Sequence, residues 1–235
     1  MYKHSSSLLL ALYFSVYHCL GSNTLVFNDE LYKKRFQTRA EIINYLSGKT
    51  LVTERLSISS TTEDDIDQLA QYFTDEEYLR MYDMSLVWPK SIEEAKEHLR
   101  QRNISSADKY FFTVKITSTN TSIGQIGFDF TTKGRLWVCY WLAEPYQKKG
   151  YMSEICLPMV KFCFDTCEEF SILHIRAHED NISSQNLAKK ICSFVNKTSR
   201  YRYSTYEETI EHYSDDLSKT IRYSVVHFKL FKDKI

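Results

Sequence analysis

The chain has 235 residues, 30 basic and 30 acidic side chains, 43% hydrophobic content, and only 6 Gly and 3 Pro. A normal apolar share with so little Gly and Pro excludes collagen-like, mucin-like and disordered chains, and predicts one globular domain of about 150–200 residues plus an extension. A net charge of zero gives no electrostatic ground for sequence-independent nucleic-acid binding, and 6 irregularly placed cysteines do not make the disulfide framework of a small secreted scaffold, so a reduced, cytoplasmic protein is expected.

At the start, Lys3 and His4 precede an apolar run from Leu8 to Tyr17, with small Gly21 and Ser22 after it. Residues 1–22 thus have a signal-peptide outline, diluted by Tyr13, Ser15, Tyr17 and His18, and export is the alternative to the cytoplasm. The run is too short to span a membrane, which takes about 20 apolar residues. Residues 28–49 read as a helix, with Asn28 or Asp29 as cap, an apolar stripe through Leu31, Phe36, Ile42, Ile43 and Leu46, and Gly48 as stop. Residues 1–50 are expected to form an extension outside the domain.

Leu51 to Ser59 reads as one strand. A helix opens at Thr62, its first turn loaded with Glu63, Asp64 and Asp65, which favour the positive end of the helix dipole. Ser91 to Gln101 forms a second helix with a capping box, Ser91 with Glu94. Three strands follow, Tyr110–Ile116, Ile123–Phe130 and Leu136–Leu142. Gly150 then breaks the chain before a helix from about Met152 to Cys167, where interior Pro158 predicts a kink. Ser171–Ala177 reads as a strand, Ser183–Phe194 as a helix, and Thr220–Phe231 as a closing strand pair or one long strand. The sum is an α+β fold on a mixed sheet. With 17 Tyr and 14 Phe, many aromatic side chains are expected at the surface.

One stretch carries chemistry. A strand ending Tyr140-Trp141-Leu142-Ala143-Glu144-Pro145 runs into Gln147-Lys148-Lys149-Gly150-Tyr151-Met152 and then an apolar helix. A glycine-containing turn at a helix N-terminus offers unpaired N–H groups and positive potential to a phosphate, although ordinary surface turns share this form.

Taken with Thr53-Glu54-Arg55-Leu56, Ile123-Gly124-Gln125-Ile126-Gly127-Phe128, Asn181-Ile182-Ser183-Ser184 and the closing Ile221-Arg222-Tyr223-Ser224, this stretch resembles the GNAT acetyltransferase superfamily, and within it the ribosomal-protein N-terminal-acetyltransferase-like branch. The resemblance covers residues 51 to 230. It implies a GNAT-like, mostly antiparallel sheet flanked by helices, an N-acetyltransferase domain at 51–232, and acetyl-CoA as co-substrate. Backbone at Leu142 and Glu144 would pair with the pantetheine arm, Gln147, Lys148, Lys149, Gly150, Tyr151 and Met152 would hold the pyrophosphate, and Asn181 would bond the pantetheine. Ser184 would protonate the leaving thiolate, and Glu144 is the second catalytic candidate, beside Glu154 as a further nearby carboxylate.

The sequence departs from the family at Met152, where Gly or Ala is usual, at Cys192-Ser193-Phe194 in place of Gly-Phe, and at Asn196 and Lys197, where an acidic residue is often found. An amine-bearing protein or small molecule is the expected acceptor. An α-amine, with a pKa of about 7.7–8.0 against about 10.4 for lysine, needs the weaker base. The alternative is a degenerate member that binds coenzyme A or a protein without turnover. No metal is expected: Cys163/Cys167 and His174/His178 have paired-ligand spacing but stand too close together for a zinc finger.

Overall fold

The computed structural model describes residues 24–73, 89, 91–103, 109–197, 201–213 and 220–232, with 210–213 and 220–223 described by backbone alone. The signal-like segment 1–22 lies outside the described residues. Among them the strands form one nine-stranded sheet in the order β1-β2-β3-β4-β5-β6-β7-β9-β8. These are β1 (Thr24–Val26), β2 (Thr50–Val52), β3 (Leu56–Ser60), β4 (Lys109–Ile116), β5 (Thr121–Asp129), β6 (Arg135–Leu142), β7 (Ile172–His178), β8 (Tyr201–Tyr213) and β9 (Thr220–Lys232). Two neighbour pairs, β1–β2 and β6–β7, are parallel and the rest antiparallel. This is the expected mixed, mostly antiparallel α+β architecture.

The N-terminal segment does not behave as expected. Instead of one helix over 28–49 there are two short ones, α1 (Asp29–Tyr32) and α2 (Arg39–Leu46). Asn28 and Thr38 cap them through their side-chain oxygens. Between them the chain leaves the helix so that Phe36 can bridge Cys167: Phe36 N–H donates to Thr166 O and Glu168 N–H to Phe36 O, both at 2.8 Å. Leu31, Phe36, Ile42 and Leu46 are buried in the main core, and β1 extends the same sheet. Residues 24–50 therefore lie within the fold, because their apolar stripe is buried in its main core.

Other expectations are corrected in the same way. The single strand over 51–59 is a hairpin of β2 and β3, closed by Thr53 N–H to Leu56 O at 2.8 Å. β8, with no apolar periodicity to announce it, pairs along its whole length with the long strand β9. As expected, a single helix follows Gly150, α5 (Tyr151–Thr166), and it contains Pro158. The aromatic residues are mostly interior: among the described residues only Tyr203 and Tyr206 are large exposed aromatics.

One sheet face carries α5, α6 (Ile182–Val195), α1 and α2 over the main core. The other carries α3 (Glu63–Ala70) and α4 (Ile92–Asn103), whose apolar sides meet Trp141 and Ala143 in a smaller cluster. Asp65 anchors α3. It completes a capping box with Thr62, pairs with Lys115 Nζ at 2.7 Å and accepts from Ser122 Oγ at 2.7 Å. Burial pushes its carboxyl up, but these donors together pull it below the usual range. The two glycines of β5 are required by close approach: a Cβ on Gly124 would stand 2.3 Å from Trp141 O, and one on Gly127 would run into the Phe111 ring at 2.3 Å.

Candidate active site

The parallel pair β6–β7 is joined only from Arg135–Val138 to Ile172–Ile175. Beyond that point β6 continues to Leu142 against β5, while β7 continues to His178 against β9. The two strands part, and a wedge opens between the end of β6 and the start of α6. Period-two alternation puts Tyr140 and Leu142 on one side of β6. Both line a cleft of ≈ 250 Å³ in this wedge, together with Gln147, Lys148 and Gly150 of the turn, Tyr151, Met152 and Ser153 of the first turn of α5, and Asn181, Ser183, Ser184 and Leu187 of α6.

The turn is shaped by two left-handed residues, Lys148 at φ 59° and Gly150 at φ 81°. A Cβ at Gly150 would have only Arg55 Nη2 within reach, at 3.6 Å, so the glycine answers the backbone angle and not a crowded interior. As N-cap of α5 it supplies no side-chain hydrogen bond. The first N–H groups of α5 thus have neither an intrahelical nor a capping acceptor, and with the helix dipole and Lys148 they fit an anionic group such as a pyrophosphate.

Arg55, from the β2–β3 turn, clamps this end. Its Nε donates to Glu154 Oε2 at 2.7 Å, its Nη1 donates to Lys149 O at 3.2 Å, and its guanidinium lies 4.6 Å over the Tyr151 ring. Thr53 Oγ1 and the Arg55 N–H also donate to Glu154. Burial raises the Glu154 carboxyl, but these hydrogen bonds and the adjacent guanidinium outweigh it and hold its pKa below the ordinary value. Glu154 is therefore a structural carboxylate that fixes the turn.

Across the wedge, α6 starts with Asn181 as N-cap, its Oδ1 accepting from Ser184 N–H at 2.9 Å. Ser184 Oγ donates to Tyr140 Oη at 3.3 Å, and Tyr140 Oη donates to Ser184 O at 3.1 Å. The pair joins the parted elements and puts two hydroxyls on the cleft wall. On the β6 side, Gln147 Nε2 donates to Leu142 O at 3.0 Å.

Of the expected site residues, Leu142, Gln147, Lys148, Gly150, Tyr151, Met152, Asn181 and Ser184 line the cleft. Glu144 and Lys149 do not. Glu144 is exposed in a short 3-10 turn, Glu144–Tyr146, and Lys149 Nζ turns back to Pro145 O at 2.8 Å. Tyr140, Trp141, Ser153, Ser183 and Leu187 line it as well and are not among the expected site residues; for Tyr140 the two-residue spacing from Leu142 was the available signal. At the family departures, Met152 is buried at the cleft wall. Asn196 takes the start of β8, exchanging both its side-chain amide groups with the Tyr201 backbone at 2.8 and 2.9 Å. Among the described residues no carboxylate or imidazole lines the cleft.

The cysteine and histidine pairs do not converge. Cys163 and Cys167 lie in the main core with their thiols pushed up by burial, and strand alternation turns His174 to the opposite face from core residues Leu173 and Ile175. There His174 Nε2 and His227 Nδ1 stand 2.7 Å apart, and burial pushes His174 down to about 2. Among the described residues no three metal-ligating side chains form a group that could hold a metal ion.

Comparison with known proteins meets this geometry. A family model described as acetyltransferase (GNAT) domain matches residues 55–191, more than half of the chain. The chain belongs to the GNAT acetyltransferase family. No curated protein matches it. Among solved structures, a putative ribosomal-protein-serine acetyltransferase from Vibrio cholerae is 22% identical, with a TM-score of 0.56 over 78% of this chain and 98% of that one. RimL, the ribosomal L7/L12 α-N-protein acetyltransferase, solved in complex with coenzyme A, is 18% identical at TM-score 0.56, over 77% of this chain and 97% of its own. The microcin C7 self-immunity acetyltransferase MccE, solved with acetyl-CoA and AMP, is 13% identical at TM-score 0.55, over 76% and 93%. At these identities the likeness is one of fold.

Proposed function

We propose that the protein is an N-acetyltransferase that moves an acetyl group from acetyl-CoA directly to an amine, with both substrates bound together. The observation that carries this is the wedge between β6 and β7, with an uncapped helix N-terminus at one end and the Tyr140–Ser184 hydroxyl pair on its wall. The solved relatives that hold coenzyme A or acetyl-CoA support it.

Acetyl-CoA would supply an activated acetyl thioester. The backbone N–H groups of Tyr151, Met152 and Ser153 with Lys148 would hold its pyrophosphate. The end of β6 beyond Val138, where it has parted from β7, would align the pantetheine arm once Gln147 releases the Leu142 carbonyl. Asn181, whose Oδ1 caps α6, would keep that helix end in register with the arm. As the amine nitrogen bonds to the thioester carbonyl carbon and the C–S bond breaks, Tyr140 and Ser184, already hydrogen-bonded in series, would hand a proton to the departing thiolate, and the proton shed by the amine would replace it.

With no base on the described cleft wall, the acceptor must arrive neutral. That favours an α-amine, at about 7.7–8.0, over a lysine side chain at about 10.4. The acceptor is then a protein N-terminus or a small molecule with a comparable amine, in the cytoplasm where acetyl-CoA is supplied. Incubation with acetyl-CoA and a panel of peptides, some with free α-amines and some N-blocked with a lysine, tests this by thiol release and product mass. Release with the free α-amines is expected. Binding of acetyl-CoA with no release on any amine would favour the second reading, a coenzyme-A-binding member without turnover. Gln147 closing the Leu142 carbonyl is the observation on its side.

A further inference from the structure

The side of the sheet away from the main core changes character along its width. α3 and α4 pack there against β4, β5 and Trp141 of β6. Beyond them solvent reaches the strands, and Arg176 of β7 and Tyr206 of β8 are exposed. Alternation and register put Trp137, His174, Arg176, His227 and Lys229 together on this side: Trp137 stacks on His174 at 3.6 Å, Arg176 lies beside His227, and His174 beside Lys229.

In a chain of zero net charge this patch is one-sided. Arg135 and Arg176 both lie over the Trp137 ring, 5.5 and 5.7 Å from its centre, and Lys229 lies 4.5 Å over Tyr206. A ring contact leaves a cation its full charge and its outer N–H groups. The carboxylates that alternation brings to this side, among the described side chains of β5 to β9, are already used: Asp129 pairs with Lys109 at 3.5 Å and Glu208 with His227 at 2.9 Å. Among the described residues neither Arg135 nor Arg176 has a carboxylate partner, and the buried Arg135 Nε has no hydrogen-bond acceptor. The same cations act on the histidine beneath them: burial first, then Lys229, His227, Arg135 and Arg176, push His174 down to about 2.

The patch adjoins the wedge. Val138–Ile175 is the last pair of β6 with β7, and Arg176 is the next residue of β7. A ligand in the cleft occupies the side of Tyr140 and Leu142, so an amine that meets it through the wedge comes from the opposite side, across Trp137 and Arg176. We infer that this patch selects an acidic acceptor: a peptide whose α-amine enters the wedge while carboxylates in the residues just after it sit on Arg176 and Arg135, with Lys229 behind. This deepens the acetyl-transfer reading and rests on it. A guanidinium takes a carboxylate through two parallel N–H bonds, and an extended chain advances about 3.3 Å per residue, so acidic side chains close to the N-terminus reach the patch. The zero net charge offers a nucleic acid no wider basic surface, which leaves the peptide as the better match.

Fluorescence anisotropy of the full chain with coenzyme A and short peptides, labelled at the C-terminus and free at the α-amine, reads this without turnover. A peptide with Asp and Glu after the amine should bind roughly tenfold tighter than its Asn and Gln counterpart, and added salt should erase the difference. Arg176→Glu should remove the preference and favour a lysine-bearing peptide instead, which a folding defect could not do, with the acetyl-CoA melting shift unchanged. In thiol release the same variant should raise KM for the acidic peptide. Equal affinity for the acidic and amide peptides in wild type overturns the inference, as does a folded Arg176→Glu that keeps the acidic preference. A single-stranded oligonucleotide that displaces the acidic peptide at a lower concentration than unlabelled peptide does also overturns it, and assigns the patch to nucleic acid. Acidic-peptide binding that Arg176→Glu abolishes, with no thiol release on any amine, upholds the patch and defeats the transfer reading alone.

Discussion

The two ends of α5 do opposite work. Toward its C-terminus the helix is a packing platform: the Phe162 ring meets Tyr32, Phe36 and Tyr45 at 6.1–6.5 Å, and the Thr166–Phe36–Glu168 bonds lock the N-terminal segment to the helix end. At its N-terminus the same helix begins uncapped, at a left-handed glycine facing a cleft, held from outside by Arg55 and Glu154. One end is stabilised by removing apolar surface from water, and the other leaves backbone donors unspent. What a helix contributes to function is the end that the core does not satisfy.

The largest effect expected from this contrast comes from the packed end. Deleting residues 1–49 removes buried Leu31, Phe36, Ile42 and Leu46. At roughly 1.5–3 kcal/mol each, their loss rivals the ~5–15 kcal/mol stability of a whole domain. The truncated chain should lose cooperative unfolding in a thermal melt, and a cooperative melt near the full-length midpoint would show that the segment is dispensable.

Phe162→Ala and Gly150→Glu separate the two ends directly. The first should cost about 3–5 kcal/mol in urea unfolding while acetyl-CoA still raises the midpoint. The second should cost only about 1 kcal/mol for the left-handed backbone, but it should abolish the stabilisation of about 2.7 kcal/mol that a ligand gives at a hundred times its dissociation constant. Equal ligand shifts in wild type and Gly150→Glu would make the turn an ordinary surface feature.

A smaller change probes the wall of the cleft. Tyr140→Phe removes one hydroxyl of the relay and should slow thiol release by at least ~10²-fold, with the acetyl-CoA melting shift unchanged. A normal rate would remove Tyr140 from the reaction.

The smallest effects concern pH, and their signs differ at the two ends. Glu154 has a depressed pKa, so the unfolded chain binds more protons below the ordinary carboxylate value, and the stability it contributes is lost as pH falls through that range. Cys163 and Cys167 have raised pKa values, so the unfolded chain loses protons first, and their contribution is lost as pH rises above about 9. Each slope is at most about 1.4 kcal/mol per pH unit, and that of Glu154 is smaller because its site is open to solvent screening. Urea titrations across pH should show Glu154→Gln flattening only the acid limb and Cys163→Ala only the alkaline limb.

Much of this was legible in the residues. Gly150 before an apolar run announced the start of α5, the stretch Ser183–Phe194 the body of α6, and the ordered motifs together the family and its mixed sheet, because glycines and periodicity act over a few neighbours. Local signals could not say where the stripe Leu31–Phe36–Ile42–Leu46 would be buried; a free helix and a helix broken to reach Cys167 show the same apolar residues. Nor could they find β8, whose largely exposed residues pair through backbone, or separate Gln147 and Lys148, which line the cleft, from Glu144 and Lys149, which do not. Those outcomes were decided by the parting of β6 from β7 and by the angle at which the turn meets α5. They depend on contacts between residues far apart in the chain, where burial and strand pairing outweigh local preference.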